Sequence, residues 1–253
     1  MIHIDPEKNQ EVKSVKTIFK DAGKQIAVSL CVLVVVFFAM NWSAYYQIVK
    51  HKIDVFLGIG TEESMNSAVT DQVIEEKLTA TDKNALKAVK EIPELNLEIM
   101  PPDERLVIPR INQNIPVVTA SSSNLIDRNW GALEKDIQNS LKNGVVHYPG
   151  TSWPSQTGNT VITGHSSYFP WDPGRFKDVF ALLNDVMVGD KIAFYYKQHK
   201  YIYQVSDKKI VMPSNIDILK QTTDKKLTLI TCYPVGTNLK RLVVIADFIE
   251  EQI

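Results

Sequence analysis

The chain has 253 residues and sets 28 basic against 29 acidic side chains, for a formal net charge of -1. That balance gives no long-range field toward nucleic acid or an anionic surface, so a charge-driven DNA binder is excluded. With 44% hydrophobic and 9% aromatic residues the composition is also wrong for a disordered or collagen-like chain, and its length suits one domain with an appendage or two small domains.

In chain order, the first feature is apolar. Between Lys24 and Lys50 lie 25 residues without a formal charge. The stretch 26–46, 21 residues, would be about 31 Å long as a helix, which matches a hydrocarbon core of about 30 Å. Trp42, Tyr45 and Tyr46 at its far end provide an interfacial aromatic belt. A helix buried in a soluble core would show a polar face, and here that face is missing. The leading tail is long and no small-x-small cleavage site follows the apolar run, which favours a retained transmembrane anchor over a removed signal peptide. Lys13, Lys16, Lys20 and Lys24 precede the span, whereas only Lys50 and Lys52 follow it closely. The positive-inside rule then predicts a cytoplasmic tail, 1–25, a single-pass anchor, 26–46, and an extracytoplasmic remainder.

Residues 47–102 are expected to form an extracytoplasmic stalk. Helical stretches begin near positions 61–63 and 81–82, and Ile92 with Pro93 stops the pattern. Residues 103–253 are the size of a domain with its own core. Eight short runs rich in Val, Ile, Thr and Tyr, at 105–108, 115–118, 145–148, 160–163, 192–196, 201–205, 227–231 and 242–248, are punctuated by Gly, Pro, Asn or Asp. They predict a mainly β unit, a barrel or sandwich, with two short peripheral helices at 132–142 and 174–183.

The chain has two cysteines, Cys31 in the apolar span and Cys232 near the C-terminus, and they cannot reach each other across a membrane interface. A lone cysteine in an extracytoplasmic domain is either a buried filler or a reactive thiol. Cys232 closes a strand before Pro234, a placement that holds a nucleophile firmly with one side open to substrate. Three histidines are candidate proton partners. His165 follows the run 160–163 and Gly164, which permits close backbone approach; a surface loop histidine is its alternative. His147 suits a half-exposed strand position and His199 a hairpin turn. Arg241 opens the last strand, antiparallel to that of Cys232 across the loop 233–239. A fixed guanidinium there could stabilise the oxyanion of acyl transfer, the alternative being a solvated strand end.

At this point the chain resembles the sortase family of membrane-anchored bacterial cysteine transpeptidases. Thr228, Leu229, Thr231 and Cys232 stand in register with the family's Thr-Leu-x-Thr-Cys signature, and Arg241-Leu-Val-Val resembles the strand that follows it. Val146-His-Tyr-Pro-Gly-Thr and Gly158-Asn-Thr-Val-Ile-Thr-Gly-His resemble the approach to the family's catalytic histidine, and Val107-Ile-Pro-Arg-Ile its opening strand. The resemblance implies an eight-stranded closed β-barrel with His165, Cys232 and Arg241 in the catalytic positions and Thr231 in contact with substrate. It further implies cleavage of a C-terminal sorting signal of the Leu-Pro-x-Thr-Gly kind through a thioacyl enzyme. The acyl group would pass to an amine acceptor, a peptidoglycan precursor or a pilin lysine. No cofactor is implied; some family members bind calcium, but the corresponding region 211–224 offers only Asp217 and Asp224. The rival readings are a membrane-tethered thiol hydrolase, an L,D-transpeptidase-like enzyme, whose Ser-x-Gly-Cys signature is missing, and an inactive interaction domain.

Overall fold

The computed structural model describes residues 15–57 and 100–252. Most of the expected tail and the helical stretches at 61–63 and 81–82 lie outside the described residues.

Helix α1, Val15–Met40, contains the apolar segment Lys20–Met40, of mean hydropathy 2.1, none of it buried. Among the described residues it is the one helix long and apolar enough to cross a membrane. The expected span 26–46 runs across a turn at Asn41, whose side-chain amide donates to the Phe37 carbonyl at 2.9 Å, and α2, Trp42–Phe56, continues beyond it.

Eight strands close into a barrel in the order β1-β2-β3-β4-β7-β8-β6-β5. They are β1 Arg105–Ile108, β2 Gln113–Thr119, β3 Val145–His147, β4 Asn159–Thr163, β5 Lys191–Tyr196, β6 His199–Val211, β7 Lys226–Tyr233 and β8 Lys240–Gln252. The β2–β3 and β4–β7 pairs are parallel and the other pairs antiparallel. Closure leaves no open edge. Alternate residues point inward: Leu227 and Leu229 of β7 and Leu242, Val244 and Ala246 of β8 join Leu106, Ile115, Ile162, Phe194 and Tyr203 in one core. The long β6 and β8 bend through register shifts at Ile202/Tyr203 and Val205/Asp207, where bulges sharpen the local twist.

Short helices α3, Ser123–Ile126, and α4, Trp130–Ser140, lie outside the barrel. Helix α4 starts where the Asn129 side chain accepts from Ala132 N at 3.2 Å. Its Leu133 and Ile137, with Leu141 after it, pack on Val146, the i, i+4 spacing of an amphipathic helix.

The expected helix at 174–183 is corrected by the structure: the segment is a run of turns ending in a single 3-10 turn, Leu183–Asp185. Val179, Phe180, Ala181, Leu182 and Leu183 are all buried, so the run has no polar face to give to water and serves as a plug under the barrel rim. The predicted turn at His199 also shifts: Lys197 and Gln198 take the positive φ values, and His199 opens β6 and pairs with Glu251 at 2.9 Å.

Candidate active site

The site follows from strand register. From Asn159↔Lys226 to Thr163↔Ile230 the parallel strands β4 and β7 advance one for one, and Gly164 N donates to the Ile230 carbonyl at 3.1 Å. Two residues past the end of β4, His165 therefore comes level with Cys232. On the other side of β7, Cys232 is the register partner of Arg241 in β8. Adjacent strands lie about 4.8 Å apart, so the three residues occupy three neighbouring positions along one rim. Two of them also share a face. Leu229 and Leu242 point into the core, so by alternation Cys232 and Arg241 point outward together.

Three contacts fix this rim. Gly164 packs so close to the plug that an added Cβ would lie 2.6 Å from the Phe180 ring and 3.0 Å from Val145, so no larger residue fits before His165. Phe180 N donates to the His165 carbonyl at 2.9 Å. The Thr231 hydroxyl, on a residue buried to 3% exposure, donates to the Gly164 carbonyl at 2.8 Å. The side chain for which a substrate contact is expected is thus engaged in tying the Cys232 strand to the His165 turn.

Burial dominates the electrostatics. It pushes the His165 imidazole down to about 4, against the opposing pull of the Asp172 and Glu134 carboxylates. The Cys232 thiol is pushed above its ordinary value, again mainly by burial, while the Arg241 guanidinium works in the other direction. At neutral pH the resting pair is a neutral thiol beside a neutral imidazole. The cation that favours the thiolate is held in place, because Arg241 Nη1 donates to the carbonyls of Asn238 and Lys240, both at 3.1 Å.

Sequence reasoning missed two parts of the site. The Tyr168 ring stacks on His165, centroids 4.4 Å apart, an orientation that a residue three positions away in an irregular loop does not announce. A buried polar network also supports β4 and β7 from behind. The Thr228 hydroxyl donates to Asn159 Oδ1 at 2.7 Å, and Asn159 Nδ2 donates to the Ile218 carbonyl at 3.0 Å. That network pins the β6–β7 loop, where Asp217 is paired with Lys220 at 2.8 Å.

His147 is not the half-exposed strand residue its sequence suggests. It is 5% exposed, stacked on Trp153 at 3.8 Å, and its Nε2–H donates to the Ser152 carbonyl at 3.1 Å. His199 is remote from the rim, at the start of β6.

Comparison with known proteins follows the same boundaries. A family model described as the sortase domain matches residues 106–249. Sortase D of Bacillus subtilis is 26% identical over 143 residues, which is 55% of this chain and 60% of that protein. Sortase A of Bacillus anthracis is 25% identical over 146 residues, 57% of this chain and 59% of that protein. The chain thus spans about three-fifths of the length of these curated relatives. A crystal structure of Streptococcus agalactiae Sortase C1 is similar with a TM-score of 0.47 at 29% identity, over 58% of this chain and 66% of that one.

Proposed function

This chain belongs to the sortase family, and on that premise we propose that it is a cysteine transpeptidase acting on C-terminal sorting signals. The observation that carries the proposal is the rim itself, where His165, just past the end of β4, comes level with Cys232 of β7, which in turn faces Arg241 of β8.

In the first half-reaction the Cys232 proton passes to His165, the thiolate attacks the scissile carbonyl, and a tetrahedral oxyanion forms. Arg241 donates to that oxyanion, a charge absent in the ground state, which is why the contact lowers the barrier. As the C–N bond breaks, His165 returns its proton to the departing amine and leaves a thioacyl enzyme. In the second half an amine attacks the thioester, His165 takes its proton, and Cys232 leaves as thiolate. Every proton has a named carrier and the scheme needs no cofactor. Because the resting groups are neutral, the reactive thiolate–imidazolium form is a minority species. The Arg241 guanidinium beside the thiol works in favour of it.

The partners in this scheme are the sorting-signal peptide and an amine such as a peptidoglycan precursor or a pilin lysine. We assign the apolar segment of α1 as a single-pass anchor with the N-terminus in the cytoplasm and the barrel outside, from the lysine asymmetry around it.

The test is partition between amine and water. Full-length protein in detergent, given a sorting-signal peptide and a small peptide amine, should form the new amide bond, seen by mass spectrometry, and Cys232→Ala should form none. Release of the free acid alone at saturating amine would favour the thiol hydrolase, and no cleavage of any sorting signal would leave the interaction-domain reading.

A further inference from the structure

The helix that carries the apolar segment touches the catalytic rim. Helical hydrogen bonds continue across Asn41, from Asn41 N to the Phe37 carbonyl and from Tyr45 N to the Asn41 carbonyl, both at 3.2 Å. Phe37, Asn41, Ala44 and Ile48, spaced three or four residues apart, therefore form one stripe. Ala44 is 1% exposed and Ile48 packs against the barrel core. The Ser43 hydroxyl donates to the Asp178 carboxylate, which is only 8% exposed. Tyr45 donates to the Val235 carbonyl at 3.4 Å. Gly236, with φ of +85°, sits so close that an added Cβ would lie 2.9 Å from the Phe37 ring and 3.0 Å from the Asn41 amide.

Val235 and Gly236 belong to the β7–β8 loop, between Cys232 and Arg241. Gly236 N donates to Ser167 Oγ at 2.9 Å, two residues after His165. Phe37 lies within the apolar segment, one turn or about 5 Å from its end at Met40. The loops beside the site are thus built at the level where that segment ends.

From this level a chain of aromatic rings runs outward. Tyr168, stacked on His165, meets Phe169 at 5.3 Å, and Phe169 stacks on Trp171 at 5.1 Å. Phe169 is 47% exposed and Trp171 71%, and Leu239 of the β7–β8 loop is 64% exposed. Lys177 Nζ donates to the Pro170 carbonyl at 2.7 Å, which places an ammonium beside these rings. Exposed indole and phenyl rings with a cation alongside have the chemistry of a headgroup-level contact.

We infer that the loops 168–171 and 234–239 rest on the lipid bilayer interface, so that the mouth of the active site opens at headgroup depth. The occupant of this apolar surface is lipid because Phe37, inside the apolar segment, already touches the same loop: if the segment is in a bilayer, the loop is at its surface. The inference rests on the anchor assigned above.

The test uses full-length protein in phosphatidylcholine nanodiscs and tryptophan emission, with no activity measurement. Lipids brominated near the headgroup should quench the emission assigned to Trp171, the difference between parent and Trp171→Phe, as for an indole in an interfacial belt. Lipids brominated near the chain ends should remove less. Leu239→Trp in the parent gives an independent probe of the second loop, with the same result expected. If the chain enters nanodiscs and neither probe is quenched, the inference is overturned and the anchor stands. A chain that does not enter them overturns both.

Discussion

His147 and His165 lie on and just beyond neighbouring antiparallel strands, and burial depresses the imidazole of each. Their surroundings differ in kind. His147 is closed in by the Trp153–Tyr196 stack, with centroids 3.8 and 4.6 Å apart along it, and its ring proton is given to a backbone carbonyl. His165 lies past the end of β4, where the parallel register with β7 brings it level with a thiol and the antiparallel register with β8 adds a guanidinium. Burial alone makes a core histidine. Burial at a strand end, beside a thiol and a fixed cation, is the setting our proposal needs for a group that takes and returns a proton.

The sharpest way to break this contrast is to remove each ring in turn. His165→Ala should lower kcat/KM for transpeptidation by about 100- to 10,000-fold, the range for a lost general acid–base group, with little change in melting temperature. His147→Ala should do the reverse, keeping kcat within a few-fold while costing about 2 to 4 kcal/mol of stability for the cavity it leaves in the stack. Equal losses of activity in two folded variants would erase the distinction.

Arg241 sharpens the same point from the other side of β7. Its Nη1 is held by two carbonyls, so the fork is oriented before substrate arrives. Arg241→Ala should cost about 2.7 to 4 kcal/mol of transition-state stabilisation. Arg241→Lys keeps the charge and loses the fork, so it should recover only part of that. Full recovery would reduce the role to simple charge.

A smaller effect is expected at Thr231, whose hydroxyl joins the two halves of the rim. Thr231→Val keeps the shape and strands the Gly164 carbonyl, which should cost about 1 to 2 kcal/mol in denaturant unfolding. Activity should fall through kcat more than through KM, because the alignment of His165 with Cys232 loosens. A large rise in KM alone would return Thr231 to a substrate contact.

The contrast also shows in stability against pH. Folded His165 and His147 both bind protons more weakly than the unfolded chain does. Between the ordinary histidine value of about 6.5 and the depressed folded ones, the unfolded state therefore holds more protons. Stability should be at its full value above pH 6.5 and fall as the pH drops toward about 4, the folded value of His165. The melting temperature followed over that window should fall less steeply in a His147→Phe, His165→Ala double variant.

Much of this was legible in the sequence because its signals are local. Short β-branched runs marked all eight strands, and the facing of Cys232 and Arg241 followed from a strand, a Pro-containing loop and a strand. The misses were tertiary. The expected helix at 174–183 does not form: 179–183 is buried throughout and Phe180 bonds back to His165, so a stretch with no polar face follows the core. His147 looked half-exposed because the residue that covers it, Trp153, comes from a loop.

The central claim is that the Cys232 thiol takes the acyl group at this rim, and intact-mass measurement of the full-length protein tests it most directly. After mixing with a sorting-signal peptide in the absence of added amine, the account predicts a mass increase equal to the N-terminal fragment of the peptide as its acid, less one water. Peptide mapping should place it on Cys232, hydroxylamine should discharge it, and Cys232→Ala should not acquire it. Normal turnover of the peptide by Cys232→Ala would contradict the account.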